Sequence, residues 1–122
     1  MEHQDILSDA HPKAGTLDCP LHQALNLISH KWTALIIYHL YQARGSLRFR
    51  QLQRKVGQVT QKELTQRLRE LKCLGIISRE VFPEVPPRVE YQLTEIGAAL
   101  IQPLKALAEW AEHKLLPAAR RA

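Results

Sequence analysis

Apolar residues recur at Leu64, Leu68 and Leu71, the i, i+4, i+7 spacing of one buried helical stripe, while Lys62, Thr65, Gln66 and Arg69 fall on the opposite arc. Thr60 and Glu63 precede that stripe at capping-box spacing, which predicts a helix start at this point. Gly75 is the permissive residue after the helix end. The period then changes. Residues 76–82 and 88–93 are β-prone runs on either side of Pro83, Glu84, Val85, Pro86 and Pro87, the pattern of a hairpin with a stiff exposed tip.

Upstream, Phe49, Leu52 and Val56 mark the inner side of a short helix over residues 48–56. The turn of Gly57, Gln58 and Val59 has the length a helix-turn-helix needs before Thr60. Leu47 can add a one- or two-residue strand to the hairpin. Two further helices precede it. One starts at Pro20 and carries Leu21, Leu25 and Ile28; the other spans residues 31–41 with Trp32, Leu35, Ile36 and Leu40 inward, and Gly45 is expected to end it. Thr94 is predicted to cap a long last helix reaching about residue 116, kinked by Pro103. The expected fold is therefore mainly α with a small β-wing, a winged helix-turn-helix flanked by terminal helices.

The division that follows is a flexible arm over residues 1–17, the domain over 18–116, and a flexible tail over 117–122. So small a domain does not need the last helix to close its core. Ile101, Leu104, Ala108, Trp110, Ala111 and Leu115, joined by Leu21 and Leu25, offer more apolar surface than one subunit buries, so the terminal helices are expected to form a homodimer. The competing reading is that Trp110 closes the protomer's own core.

Charge adds a location. The 122 residues carry a net +5 and are 45% hydrophobic, enough for one compact core. Residues 44–79 hold ten Lys or Arg against Glu63 and Glu70, a local balance of +8, which leaves −3 for the remainder. A basic segment centred on two crossing helices is the footprint of a phosphate-binding surface.

Other chemistry finds little support. There is no apolar run long enough to span a membrane, and residues 1–17 are polar and lack a signal-peptide core, so a cytoplasmic protein is expected. Cys19 and Cys73 have no CxxC spacing, the six His follow no ligand pattern, and no glycine-rich phosphate loop or catalytic triad is legible. No metal, no cofactor and no enzymatic activity are expected.

Cys19-Pro20, His30-Lys31-Trp32, Leu47-Arg48-Phe49, the run from Gln61 to Leu71 and the run from Glu84 to Thr94 together resemble the HxlR family of bacterial transcription regulators. The resemblance covers roughly residues 19–113 and is most specific in its last two segments. It departs at Ser29-His30, where the family usually has Gly-Gly, and at Gln51, usually acidic. The resemblance implies a dimeric winged-helix protein that binds double-stranded DNA, at a pseudo-palindromic operator, and represses or activates nearby genes.

From the residues themselves, Gln66 and Arg69 are the candidates for base edges, because Gln pairs bidentately with adenine and Arg with guanine. Lys62 and Thr65 can touch bases or phosphates; Gln61 can reach out from the first turn, and the capping Thr60 beside it is also counted among the DNA-binding candidates. Arg48 and Arg88 are expected on phosphate or in the minor groove. Arg50 and Arg54 read as solvated, and Arg67 and Lys72 as too near the buried seam. The resemblance also implies that Cys19 senses an oxidant or small electrophile. A thiol at a helix N-terminus is more readily ionised, although a buried structural Cys would suit the same position. A winged-helix protein-interaction module and, more remotely, a small thiol redox enzyme remain open as alternatives.

Overall fold

The computed structural model describes residues 19–121; the expected N-terminal arm lies outside them. Chain order is α1 (Pro20–Ile28), α2 (Lys31–Ala43), β1 (Leu47–Arg48), α3 (Phe49–Val56), α4 (Gln61–Cys73), β2 (Ile77–Phe82), β3 (Arg88–Leu93), α5 (Glu95–Ala99), α6 (Ile101–Trp110), a π-helical turn (Ala111–Leu115) and α7 (Leu116–Arg121). The three antiparallel strands lie in the order β1-β3-β2. Leu47 does pair, opposite Tyr91, and the hairpin register runs from Ile77 against Leu93 to Phe82 against Arg88. This is the winged helix-turn-helix that the sequence predicts.

The core sits around α2, which packs against α1, α3, α4, α6 and β3. Ile36, Ile37 and Leu40 from α2 meet Leu52 of α3, Leu64, Leu68 and Leu71 of α4, and Ile77 of β2. Trp32 is only half-buried at its edge, while Ile37, absent from the expected inward set, is fully buried.

Helix ends show where local chemistry differs from expectation. α2 runs two residues past Tyr41 and stops at Arg44, whose φ of 56° puts a non-glycine residue in the left-handed region, rather than at Gly45. At α4, Thr60 Oγ1 accepts the Glu63 N–H at 3.0 Å. The capping box is nevertheless half-used, because the Glu63 carboxylate turns to His30 Nε2 at 3.2 Å. The α4 C-terminus is a Schellman motif, in which Ile76 N–H donates to the Leu71 carbonyl and Gly75 N–H to the Lys72 carbonyl, with Gly75 at φ 77°.

The last helix is not one piece. Thr94 Oγ1 accepts the Gly97 N–H at 3.2 Å, but α5 gives way at Leu100, where the missing N–H of Pro103 leaves the preceding turn without its regular partner. Gly97 is needed there, since a Cβ would fall 2.2 Å from the Ile76 carbonyl oxygen. Ile101 is a correction: it is 2% exposed and belongs to the protomer's core rather than to a dimer surface. Residues 117–121 are helical where a tail is expected. No helix among the described residues is long and apolar enough to cross a membrane.

Candidate nucleic-acid interface

Because Leu64, Leu68 and Leu71 fix one side of α4 in the core, its other side is committed to the surface. Gln61, Lys62, Gln66 and Arg69 are exposed and Thr65 is half-buried. These five side chains line one shallow depression of about 620 Å³. Thr60, exposed at the head of the helix, spends its hydroxyl oxygen on the cap. Lys62 and Arg69 have no ion-pair partner among the described residues, so their charges are free for a ligand.

The basic surface extends beyond α4. Thr65 and Arg69 border a second depression of about 300 Å³ whose remaining walls are Leu68, Lys72, Arg79 and Tyr91. Lys72, set aside in the sequence, and Arg79, not weighed there, thus carry the positive surface from α4 onto the wing. Arg79 stands opposite Tyr91 in the ladder. Part of the signal was available, because pairing the two runs outward from the proline tip sets Arg79 opposite Tyr91, although not where the wing sits against α4.

On the other side, Arg48, Arg50 and Arg54 share a groove of about 870 Å³ with the wing tip. All three are exposed, and none forms an ion pair among the described residues. Arg48 donates its backbone N–H to Gln51 Oε1 at 2.9 Å, so Gln51 caps α3 with a neutral amide and adds no negative charge beside the arginines. Arg50 and Arg54 therefore join Arg48.

Arg88 is differently engaged. Its guanidinium lies 3.2 Å from the Glu84 carboxylate, 3.3 Å from that of Glu90, and 3.9 Å above the Phe82 ring. Ser46 also donates to Glu90 Oε1 at 2.6 Å. Two carboxylates and a ring hold Arg88 as a brace beside the wing tip, not as the free cation expected of a phosphate contact.

The remaining candidates fall elsewhere. Cys19 is 1% exposed at the head of α1, whereas Cys73 is exposed. Of the residues expected in a dimer face, Leu25, Ala108, Trp110 and Leu115 are exposed, and Leu21, Leu104 and Ala111 are half-buried. Leu107, Leu116 and Ile96 add exposed apolar surface on the same C-terminal run. In α2, burial and then the positive charge of Lys55 on α3 lower the pKa of His39. Among the described residues, no three His, Cys, Asp or Glu are grouped to hold a metal ion.

Comparison with known proteins agrees with this geometry. The family model described as HxlR-like helix-turn-helix matches residues 27–118. An uncharacterized HTH-type transcriptional regulator of Methanothermobacter thermautotrophicus is 49% identical over 92 residues, 75% of this chain and 69% of that protein. The reduced form of the transcriptional regulator YodB from Bacillus subtilis superposes with a TM-score of 0.72 at 36% identity, covering 81% of this chain and 96% of that one. The redox regulator HypR in its reduced form gives a TM-score of 0.73 at 39% identity, with coverages of 81% and 98%.

Proposed function

Since the chain belongs to the HxlR-like helix-turn-helix family, we propose that it is a sequence-specific DNA-binding transcriptional regulator that works as a homodimer. The observation that carries this reading is the outer face of α4, where polar and cationic side chains without ion-pair partners among the described residues are held outward by a buried opposite stripe. Such a helix enters the major groove as a rigid reader. Gln66 and Arg69 read base edges; Gln61, Lys62 and Thr65 flank them, with Thr60 anchoring the helix start. Arg48, Arg50 and Arg54 on one side, and Lys72 and Arg79 on the other, meet the phosphates that bracket the groove.

Two such helices need a fixed separation, and the exposed apolar residues of α1 and of the C-terminal run supply the contact that sets it. The operator is accordingly a two-half-site, pseudo-palindromic sequence. A regulator of this kind works where the chromosome is, in the cytoplasm, and needs no catalytic chemistry.

The likeness to YodB and HypR favours a second element, response to an oxidant or electrophile through Cys19. The thiol is buried where α1 starts, so its modification requires α1 to shift, and α1 carries part of the proposed dimer contact. Gel shifts with and without oxidant decide this: Cys19→Ser should bind DNA but ignore the reagent, with Cys73→Ser as control. A response in Cys19→Ser equal to the wild type would remove Cys19 from the switch.

The DNA reading is tested by selecting bound fragments from genomic DNA and footprinting them. Enrichment of a two-half-site motif is expected, and Gln66→Ala or Arg69→Ala should lose about 1–3 kcal/mol of discrimination at one base position. Absence of any preferred sequence would favour the protein-interaction module instead.

A further inference from the structure

We propose that the groove between α1 and the C-terminal half of α4 is a binding site for a small organic anion with an apolar body, and that its occupation withdraws Arg69 and Gln66 from DNA. Only the second half of this statement rests on the DNA-binding reading.

The groove encloses about 750 Å³, within the range of small-molecule sites. Its apolar walls are Leu27 from α1 and Leu71 and Leu74 from α4, with Thr33 of α2 behind them. Leu74 is 59% exposed at the end of α4, an apolar side chain left to the groove rather than to the core.

Polar atoms at the rim point to the charge of the occupant. Arg67 is clamped by Glu70 at 3.0 Å through one terminal nitrogen, yet its Nε is shielded from solvent and has no hydrogen-bond partner. His30 repeats the pattern. Its Nε2 faces Glu63, while its Nδ1 is likewise shielded and unpartnered. A buried donor such as the Arg67 Nε–H is costly to leave unpaired, and a carboxylate or similar oxyanion would satisfy it. Among the described residues, Glu70 is the one acidic side chain lining the groove and is already engaged by Arg67, whereas Arg69 has no ion-pair partner. The remaining charge is positive, over an apolar floor.

Coupling to DNA is built into shared side chains. Gln66 and Arg69 line this groove and also the outer depression of α4. An Arg69 guanidinium paired with a bound anion cannot also meet a guanine, so the ligand lowers operator affinity.

Cys73 lines the same groove and is exposed, which makes its thiol a reporter. Peptide-resolved alkylation of the full-length wild type by iodoacetamide, with naphthoate or its neutral amide as probe, should show saturable protection of Cys73. The anion should bind about tenfold more tightly than the amide. Leu74→Glu, at an exposed position where folding is checked by thermal melting, should abolish protection, and Arg67→Met should remove the preference for the anion. Cys73 alkylation unaffected by saturating naphthoate would overturn the site, as would equal protection by the amide. A Cys73 that is unreactive before any probe is added would also overturn it, by showing that a second copy of the chain covers the groove. Protection without loss of operator affinity would refute the coupling alone. Failure of the wild type to select any DNA would refute the regulator reading while protection still decided the site.

Discussion

Helix α4 and the helical run over residues 95–121 each carry a set of large apolar side chains and give it opposite fates. In α4, Leu64, Leu68 and Leu71 are all buried, so the outer face of Gln61, Lys62, Thr65, Gln66 and Arg69 asks for no apolar partner. In the C-terminal run Ile101 is buried, while Leu107, Trp110, Leu115 and Leu116 are each about half exposed. The first helix is finished within one protomer and its exposed face is polar; the second is finished only when something covers it. A reading element has to be rigid before its ligand arrives, and an assembly element has to be incomplete before its partner arrives.

The backbone of the second region serves that incompleteness. The turn Ala111–Leu115 closes with the Leu116 N–H on the Ala111 carbonyl, an i→i+5 bond. Regular α-geometry would separate Trp110 and Leu115 around the helix, whereas the wider turn brings residues five apart toward one face.

The largest contrast is expected from single truncations within α4. Leu68→Ala removes a buried side chain and should lower stability by about 2–5 kcal/mol. Gln66→Ala, at an exposed position, should stay within about 0.5 kcal/mol of the wild type. Urea denaturation of both variants checks this. Comparable losses in the two would mean that the outer face of α4 is packed, and the contrast with the C-terminal run would dissolve.

Next in size is the effect of charging the unfinished face. Leu107→Glu combined with Trp110→Glu should leave the dilute protomer folded, since both positions are exposed, but weaken self-association by about two orders of magnitude, about 2.7 kcal/mol. Sedimentation equilibrium reads the association, and affinity for a two-half-site operator should fall while that for one half-site stays. A double variant that still dimerises would assign the assembly face elsewhere, to α1 with Leu25.

The same contrast explains what was legible in the sequence. Elements completed by their own neighbours announced themselves: the cap at Thr60, the stripe of α4 and the register around the prolines all depend on residues close in the chain. What depends on distant or absent groups did not. The departure of Glu63 from its capping box requires His30, more than thirty residues earlier, and the brace on Arg88, although its partners are near in the chain, requires the folded hairpin to bring Glu84, Glu90 and Phe82 onto one guanidinium. Ile101 and Trp110 both look apolar on a helical wheel; only the break at Leu100 and the π-helical turn decide which one the protomer buries. Within the candidate site, Gln66 and Arg69 followed from helical periodicity, whereas Arg79 and Lys72 needed the sheet placed against α4.

A smaller effect separates free from braced arginines. Arg48→Ala should reduce the slope of log affinity against log salt by about one unit, because one phosphate contact is lost. Arg88→Ala should leave that slope nearly unchanged and instead loosen the tip end of the wing, seen as faster amide exchange in β2 and β3. Equal slope changes in the two variants would return Arg88 to the phosphate surface.

The smallest expected effect concerns how complete the packed half remains as pH falls. Burial first, and Lys55 second, hold the His39 pKa below its ordinary value of 6.5, so the folded protein prefers the neutral ring. Above that ordinary value His39 is neutral in both states and this contribution is fully present. As pH drops through it, the unfolded chain takes up a proton that the folded chain still resists, and stability declines until the lower folded pKa is reached. Chemical denaturation midpoints measured at about pH 7.5 and about pH 5.5 should therefore differ more for the wild type than for His39→Gln. Lys55→Gln should remove part of the difference, leaving the share due to burial. A wild-type midpoint that rises on acidification in this window, with His39→Gln abolishing the rise, would reverse the sign and place the charged ring against an acceptor in the folded state.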